Sequence, residues 1–325
     1  MKTYDQLKIV VVGSGSIGQR HIRNLLTLGV KDITICDSNE ERLSKVSQEL
    51  NVKGVSDFTK DKFDIAFICT PHVSHLSIAT EFAKAGTDIF IEKPLSNSYE
   101  GVDSLIKLIE EKKLITMVGC NFRFHPGMKI IKEKIENGEI KKIISIRAEF
   151  GQFLPDWHPW ADYRTESRAN KSMGGGVILD RIHEIDYLYW LFGKPQKVAS
   201  LYGQKSNLEI DTEDVAEILM SYPAGPVISV HLDYIQRKYY CAMKIVTEEG
   251  NYLWNFHLNN LIFETKDREE ITWENKEYDK NDMYVEEIKY FIDKVLTRDQ
   301  TMCDVSKGAQ VLKIALDITE NNIEV

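Results

Sequence analysis

The sequence predicts an α/β chain, a doubly wound parallel sheet followed by an α+β domain, and three observations carry that prediction. Between residues 7 and 120 short apolar strands alternate with longer amphipathic helices, the pattern of a parallel sheet covered by helices. A glycine-rich turn joins the first strand of that region to its first helix. Beyond about residue 140 the periodicity changes to the two-residue alternation of an antiparallel sheet, broken by turn-rich segments.

In chain order, the apolar runs Leu7 to Val12, Ile33 to Cys36, Ile65 to Cys69, Ile89 to Ile91 and Ile115 to Val118 read as strands. Helical periodicity fills Ile17 to Leu28, Glu40 to Leu50, Val73 to Ala85 and Tyr99 to Glu111, and Gly29 and Gly86 stand where helices stop. In the second half, Ile143 to Glu149, Val215 to Tyr222, Val227 to Tyr234 and Ala242 to Val246 alternate as strands. Gly176 to Phe192 is predicted as one helix, and Tyr284 to Leu296 and Val305 to Asn321 as a terminal pair that packs back on the first domain. The domains expected are therefore 1–120 for nucleotide binding and 121–325 for substrate binding and oligomerisation.

A chain of 325 residues with 43% hydrophobic and 28% charged residues is that of a folded protein, longer than one core usually organises. Its formal charge of -9 repels a phosphate backbone and an anionic membrane surface, which argues against nucleic acid and membrane partners. Cys36, Cys69, Cys120, Cys241 and Cys303 are odd in number and widely spaced, with no metal-ligand spacing, as expected of a reducing cytosol and of a site without metal. No apolar run is long enough for a signal-peptide core or a membrane span, so a cytoplasmic protein is expected.

The turn after the first strand reads Gly13-Ser14-Gly15-Ser16-Ile17-Gly18, a Gly-x-Gly-x-x-Gly pattern between strand and helix. Gly13 permits the tight turn, Gly15 lets the backbone approach a pyrophosphate, and Gly18 lets helix and strand lie close, with the helix N-terminus facing the anion. About 20 residues further on the second strand ends at Asp37, where a carboxylate can bind the adenosine ribose hydroxyls and repel a 2′-phosphate. NAD is thus favoured over NADP, with Arg42 near enough to keep the second cofactor open, and Asp37 serves equally well as an N-cap of the next helix.

Two strand ends carry Thr70-Pro71-His72-Val73-Ser74-His75 and Glu92-Lys93-Pro94, facing the cofactor from the carboxyl edge of the sheet. An ammonium at Lys93 can hydrogen-bond a substrate hydroxyl and stabilise a developing alkoxide; an ordinary surface lysine is the alternative. On the helix from Gly176, Asp180 and His183 are three residues apart and share a face, with Ile178, Ile182, Ile185 and Tyr189 marking the opposite one. A histidine there suits removal of a hydroxyl proton with the aspartate supporting it, while a structural histidine remains the bland alternative.

These motifs together resemble the Gfo/Idh/MocA family, named after glucose-fructose oxidoreductase, inositol dehydrogenase and a rhizopine-catabolism protein. The likeness rests on Gly13 to Gly18, Thr70-Pro71 with His75, Glu92-Lys93-Pro94, Gly119-Cys120-Asn121-Phe122-Arg123-Phe124-His125-Pro126, and Gly174-Gly175-Gly176 leading to Asp180, His183 and Asp186, in that order. The resemblance implies a Rossmann domain followed by a large, mostly antiparallel open sheet whose free face supports a homodimer or homotetramer, with the active site in a cleft between the domains. It implies cofactor contacts from Ser14, Ser16, Ile17, Thr70, Pro71, His75, Glu92, Lys93 and Asn121. It further implies that Lys93 binds the reacting hydroxyl, that His183 serves as acid or base, and that the Lys93-Pro94 peptide is cis. The family aspartate commonly precedes the histidine by four residues where Asp180 precedes it by three, which puts its role in doubt.

The stretch from Asp156 to Arg164 mixes aromatic faces with donors, as sugar sites do: Trp157 and Trp160 for stacking, Tyr163, Arg164 and the more distant Arg123 for hydrogen bonds. Trp157 and Trp160 read equally well as anchors of the loop. The stretch looks most like family members from surface-glycan or flagellin-sugar pathways. The expected reaction is hydride transfer between NAD and a hydroxyl of a sugar, amino sugar or nucleotide sugar. A retained-NAD enzyme performing epimerisation, elimination or glycoside cleavage, and a non-catalytic sugar sensor, are the competing readings.

Overall fold

The structure, a computed structural model, describes residues 2–223 and 225–323. Its elements run β1 (Lys8–Val12), α1 (Ser16–Thr27), β2 (Asp32–Cys36), α2 (Glu40–Leu50), β3 (Lys53–Val55), β4 (Ile65–Ile68), α3 (His75–Ala85), β5 (Asp88–Glu92), α4 (Val102–Lys112) and β6 (Thr116–Gly119). They continue through α5 (Pro126–Glu136), β7 (Ile143–Gly151), α6 (Val177–Asp180), α7 (Ile182–Phe192), β8 (Lys197–Gly203), β9 (Val215–Ser221), β10 (Val227–Asp233) and β11 (Tyr240–Thr247). The chain closes with β12 (Asn251–Asn255), β13 (Asn260–Glu264), β14 (Glu269–Glu274), α8 (Asn281–Thr297) and α9 (Val305–Glu320). Contacts divide it into one unit of the chain up to Asn121 with Lys280–Leu312, and a second of Phe122–Asp279 with the chain from Lys313 on.

The first unit holds a six-stranded parallel sheet in the order β3-β2-β1-β4-β5-β6. Its central strands are apolar on both faces because helices cover both, and Ile9, Val10, Val11, Ile65, Ala66, Phe67 and Ile68 are fully buried. The order reverses between β1 and β4, which makes the carboxyl ends of these two strands, followed by Gly13 and by Cys69-Thr70, the topological switch point at which such sheets bind ligands. β3 was not expected from the sequence: three residues reading Lys-Gly-Val, exposed or half-buried, carry no strand signal of their own. Thr116 Oγ1 accepts the N–H of Val305, and Val118 N–H donates to Cys303 O at 2.8 Å, fixing the start of α9 on β6.

The second unit is built on an eight-stranded sheet, β14-β13-β12-β11-β7-β10-β9-β8, antiparallel throughout except for the parallel pair β7 and β10. Alternation sets its faces: Ile146, Ala148 and Phe150 of β7 and Ile228, Val230 and Leu232 of β10 are buried, while Arg147 and Val227 face out. Four of its strands escaped the sequence pattern. β12 and β14 are half-buried or exposed along most of their length, so they lack the apolar alternation that marks a strand.

The helix expected over Gly176 to Phe192 is two helices. Arg181 stands between α6 and α7 at φ -99° and ψ 36°, outside helical conformation. Its guanidinium lies 3.5 Å over the Phe150 ring and donates to Glu184 Oε1 at 2.8 Å. Nor does α7 have a free face: residues 182–188 are all buried, so the division into aliphatic and polar sides does not hold.

Candidate active site

The glycine turn separates two kinds of constraint. A Cβ on Gly13, whose φ is +93°, would stand 2.6 Å from Cys69 O, and one on Gly18 would stand 1.9 Å from Gly13 O, so both are demanded by the fold itself. A Cβ on Gly15 would meet nothing within 4 Å. Gly15 is also the N-cap of α1 and offers no side-chain cap, leaving the first amides of the helix, from Ser16 and Ile17 on, for an external acceptor. This open cradle fits a dinucleotide pyrophosphate.

Asp37 follows β2 and is buried, its carboxylate the hub of the turn. Oδ2 accepts the Ser14 N–H and hydroxyl, both at 2.7 Å, and Oδ1 accepts the Asn39 N–H at 2.8 Å. Burial works to raise its pKa, but the hydrogen bonds from Arg42, Asn39 and Ser14 prevail and hold it far below the usual carboxylate range. The N-cap of α2 is Asn39, whose side chain accepts the Arg42 N–H, so Asp37 is not the capping residue.

At the next strand ends, His75 is fully buried between two backbone carbonyls, Nδ1 2.8 Å from Pro94 O and Nε2 2.7 Å from Thr70 O. Expected as a cofactor contact, it instead lies between the loops after β4 and β5, its one N–H donating to one of these carbonyls, and no surface is left. Burial depresses its pKa against those two carbonyls. The Thr70 hydroxyl accepts from Ser74 Oγ at 2.8 Å. Glu92 turns inward: Oε1 lies 2.5 Å from His21 Nε2 and Oε2 accepts the Lys93 N–H at 3.3 Å. The Glu92 carboxyl, penalised by burial, is nevertheless held below its ordinary pKa by His21. The Lys93-Pro94 peptide is cis, and Asn121, just beyond β6, is buried. His21 escaped the sequence reading; its position one helical turn beyond Gly18, on the face α1 turns to the sheet, was the available signal.

In the second unit Asp180 and His183 are both buried, each 8% exposed. The His183 ring stacks on Phe122, centroids 4.8 Å apart and planes within 16°. Tyr234, fully buried at the end of β10, donates its hydroxyl to Asp180 Oδ2 at 3.4 Å. Burial raises the Tyr234 pKa well above normal, so it is a donor and not a phenolate. Sequence reasoning missed Tyr234, which reads as the last apolar residue of a strand.

The residues expected to bind substrate divide. Arg123 is 1% exposed and grips Asp186 with Nε at 2.9 Å and Nη2 at 2.6 Å, a buried bidentate pair that removes the ground for a substrate contact. Trp157 anchors its loop: Nε1 donates to Gln152 O at 3.3 Å, its ring meets Tyr234 edge-on at 5.5 Å, and the Arg168 guanidinium covers it at 4.4 Å. Trp160 is 81% exposed, which excludes the buried anchor for it. Tyr163 Oη accepts the Glu209 N–H at 3.3 Å, and Arg164 is held by Asp162 and Glu209. Glu166, also missed, pairs with His158 at 2.5 Å and Arg168 at 3.1 Å.

A doubly wound sheet with a glycine cradle and a buried carboxylate after its second strand is the scaffold of an NAD-binding Rossmann domain. Residues 7–120 match the model described as oxidoreductase family, NAD-binding Rossmann fold, and residues 128–253 match the GFO/IDH/MocA C-terminal domain. The chain belongs to the Gfo/Idh/MocA family of oxidoreductases. It is 25% identical to the uncharacterized oxidoreductase YrbE of Bacillus subtilis (strain 168), over 95% of this chain and 92% of that protein. It is 29% identical to myo-inositol 2-dehydrogenase of Thermotoga maritima, over 67% of this chain and 66% of that one. Among solved structures, levoglucosan dehydrogenase in complex with NADH and levoglucosan superposes with a TM-score of 0.87 at 21% identity, covering 97% of this chain and 96% of that one. UDP-N-acetylglucosamine 3-dehydrogenase GnnA of Acidithiobacillus ferrooxidans gives 0.81 at 22% identity, covering 97% of each.

Proposed function

We propose that the protein is an NAD-dependent dehydrogenase acting on a secondary hydroxyl of a sugar, amino sugar or nucleotide sugar, with Lys93, His183 and Asp180 at the reacting oxygen. The single observation that carries the reading is the way His183 is set up: a buried imidazole laid flat on Phe122, three residues along the chain from a buried aspartate that itself accepts a hydrogen bond from Tyr234. NAD, when bound, supplies the acceptor for the hydride leaving the carbinol carbon. Lys93 donates to the hydroxyl oxygen and stabilises negative charge there, and His183 takes the hydroxyl proton as the carbonyl forms. Asp180 stabilises the imidazolium, with Tyr234 fixing the carboxylate. In the opposite direction His183 returns the proton.

The sugar assignment is supported by relatives named for myo-inositol, levoglucosan and UDP-N-acetylglucosamine, and by the aromatic and charged loop from Trp157 to Arg164. A homo-oligomer formed through the open face of the large sheet belongs to the same reading, supported by the exposed Leu201, Leu219 and Val227 there. A cytoplasmic location is supported by five free, buried cysteines; among the described residues no helix is long and apolar enough to cross a membrane.

The test is incubation of the purified protein with NAD and a panel of inositols, anhydrosugars, amino sugars and nucleotide sugars, following NADH absorbance. Turnover confined to one class and reduced by about 10²-fold or more in Lys93→Met and His183→Asn is the expected result. Turnover undiminished in either variant would overturn the assignment of that residue; NAD binding without turnover on any member would overturn the dehydrogenase reading.

A further inference from the structure

We propose that His21, Glu92 and His75 form a clamp that fixes the backbone on both sides of Lys93 and so acts as a positioning device for that lysine; the inference rests on the assignment of Lys93 to the reacting oxygen. On the amino side, the Lys93 N–H donates to Glu92 Oε2 at 3.3 Å. The other oxygen of that carboxylate is tied to a different element, His21 on α1, at 2.5 Å. The carboxylate therefore cannot swing away without giving up its buried partner. On the carboxyl side, Pro94 O lies 2.8 Å from His75 Nδ1, while His75 Nε2 reaches Thr70 O at 2.7 Å. The lysine thus sits between two anchors, one in α1 and one at the foot of α3.

Packing alone does not call for these residue types. The His21 ring lies among Phe67, Phe90 and Tyr284, with centroids 5.6, 5.2 and 6.2 Å away, an environment that a leucine or phenylalanine would fill without a buried carboxylate opposite. Its Nδ1 has no hydrogen-bond partner among the described residues, so the ring is retained for what Nε2 does. A fully buried carboxylate is costly unless it is paired and hydrogen-bonded, and Glu92 satisfies its two oxygens through His21 and the Lys93 N–H. The other ionisable groups felt at this carboxylate are the ammonium of Lys93 itself, His75 from α3 and Cys69 beyond β4; His75 and Cys69 do not bond to it. Groups that orient a functional side chain through its supports typically change activity by about 10–100-fold when removed, by analogy with the outer partners of metal ligands.

The experiment uses the full chain and the variants His21→Leu, His21→Gln and Glu92→Gln, each alone and combined with Lys93→Met. Four quantities are read: NADH affinity by fluorescence, kcat and KM on whichever of myo-inositol, levoglucosan or UDP-N-acetylglucosamine is turned over, and amide exchange of Lys93 in the peptide from β5. The clamp predicts that His21→Leu and Glu92→Gln lower kcat by about 10–100-fold with NADH affinity within about twofold of wild type. His21→Gln, which keeps a donor, restores most of the activity. Lys93 amide exchange accelerates by about tenfold in His21→Leu, a result that needs no substrate. In the Lys93→Met background neither change costs further activity, since a positioning residue has nothing left to position. Equal losses in both backgrounds, a parallel loss of NADH affinity, or unchanged Lys93 exchange would each overturn the clamp. Full activity of Lys93→Met alone would instead overturn the role of Lys93, with the exchange measurement still judging the clamp.

Discussion

Arg42 grips both carboxylate oxygens of Asp37, its Nε 2.9 Å from Oδ2 and its Nη2 2.7 Å from Oδ1. The residue that would receive the adenosine ribose is therefore already bound to the cation that would receive a 2′-phosphate, and cofactor choice becomes a competition for Arg42. Asp37→Ala should weaken NADH binding by about tenfold or more, the loss of charged hydrogen bonds worth about 1.5–3 kcal/mol. It should also release Arg42, so the ratio of NADPH to NADH affinity rises. Fluorescence titration with both nucleotides measures this, and an unchanged ratio would remove Asp37 from the specificity argument.

The three glycines of the turn should fail in different ways. Gly15→Ala adds a methyl group into open space, so thermal stability should stay near wild type while NADH affinity falls, because the methyl group occupies the approach to the pyrophosphate. Gly18→Ala drives a Cβ into Gly13 O and should lower Tm before any cofactor is added. Melting curves with and without NADH separate the two; a Gly15→Ala protein that binds NADH normally would contradict the cradle.

His231 makes stability depend on pH. Its ring is held between Asp233 at 2.8 Å and Glu217 at 2.6 Å. The Asp233 hydrogen bond, against burial and aided by Glu217, pushes the pKa from 6.5 up to about 9. A folded value above the unfolded one means that stabilisation is complete below about 6.5 and disappears as pH rises through about 9. The Tm gap between wild type and His231→Gln should accordingly be widest near pH 6 and close toward pH 9.5. A gap independent of pH would show that the ring contributes packing and no charge.

Trp157 and Trp160 should behave oppositely. Trp157→Ala removes an indole packed against Tyr234 and Arg168 and should cost about 3–5 kcal/mol, read by denaturant unfolding. Trp160→Ala should leave stability within about 0.5 kcal/mol, since the side chain is 81% exposed. If Trp160 stacks on substrate, its loss raises KM with kcat unchanged; an unaffected KM ends that assignment.

The first sheet was legible except for β3 because its other strands are buried on both faces and each helix keeps a stripe, so periodicity and position coincide; Glu40–Leu50 is found with the bounds the pattern gave. The positions of the glycine turn and Asp37 were legible because each follows directly on an apolar strand and precedes a helix. What was not legible depended on long-range pairing. His21 and Glu92 are far apart in sequence, and only the sheet brings α1 against the end of β5. Arg123 read as an available donor because its partner Asp186 lies on another helix. The break at Arg181 was hidden because Arg is a good helix former; the stack on Phe150 and the pair with Glu184 accompany the departure from its local preference.

The parallel pairing of β7 with β10, Ser145 opposite Val227, has a consequence for how the chain is made. A strand leaving at Gly151 must return to its starting end before it can be joined in parallel, and Trp157, Asp180 and His183 all lie on that return journey. On the ribosome β7 emerges long before either of its neighbours, β10 and β11, and its edge stays unsatisfied while the whole excursion is synthesised. Slowing elongation across this segment, or cutting the message before β10, would thus leave nascent chains that carry these side chains but expose a naked strand, the form that chaperones capture and that aggregates.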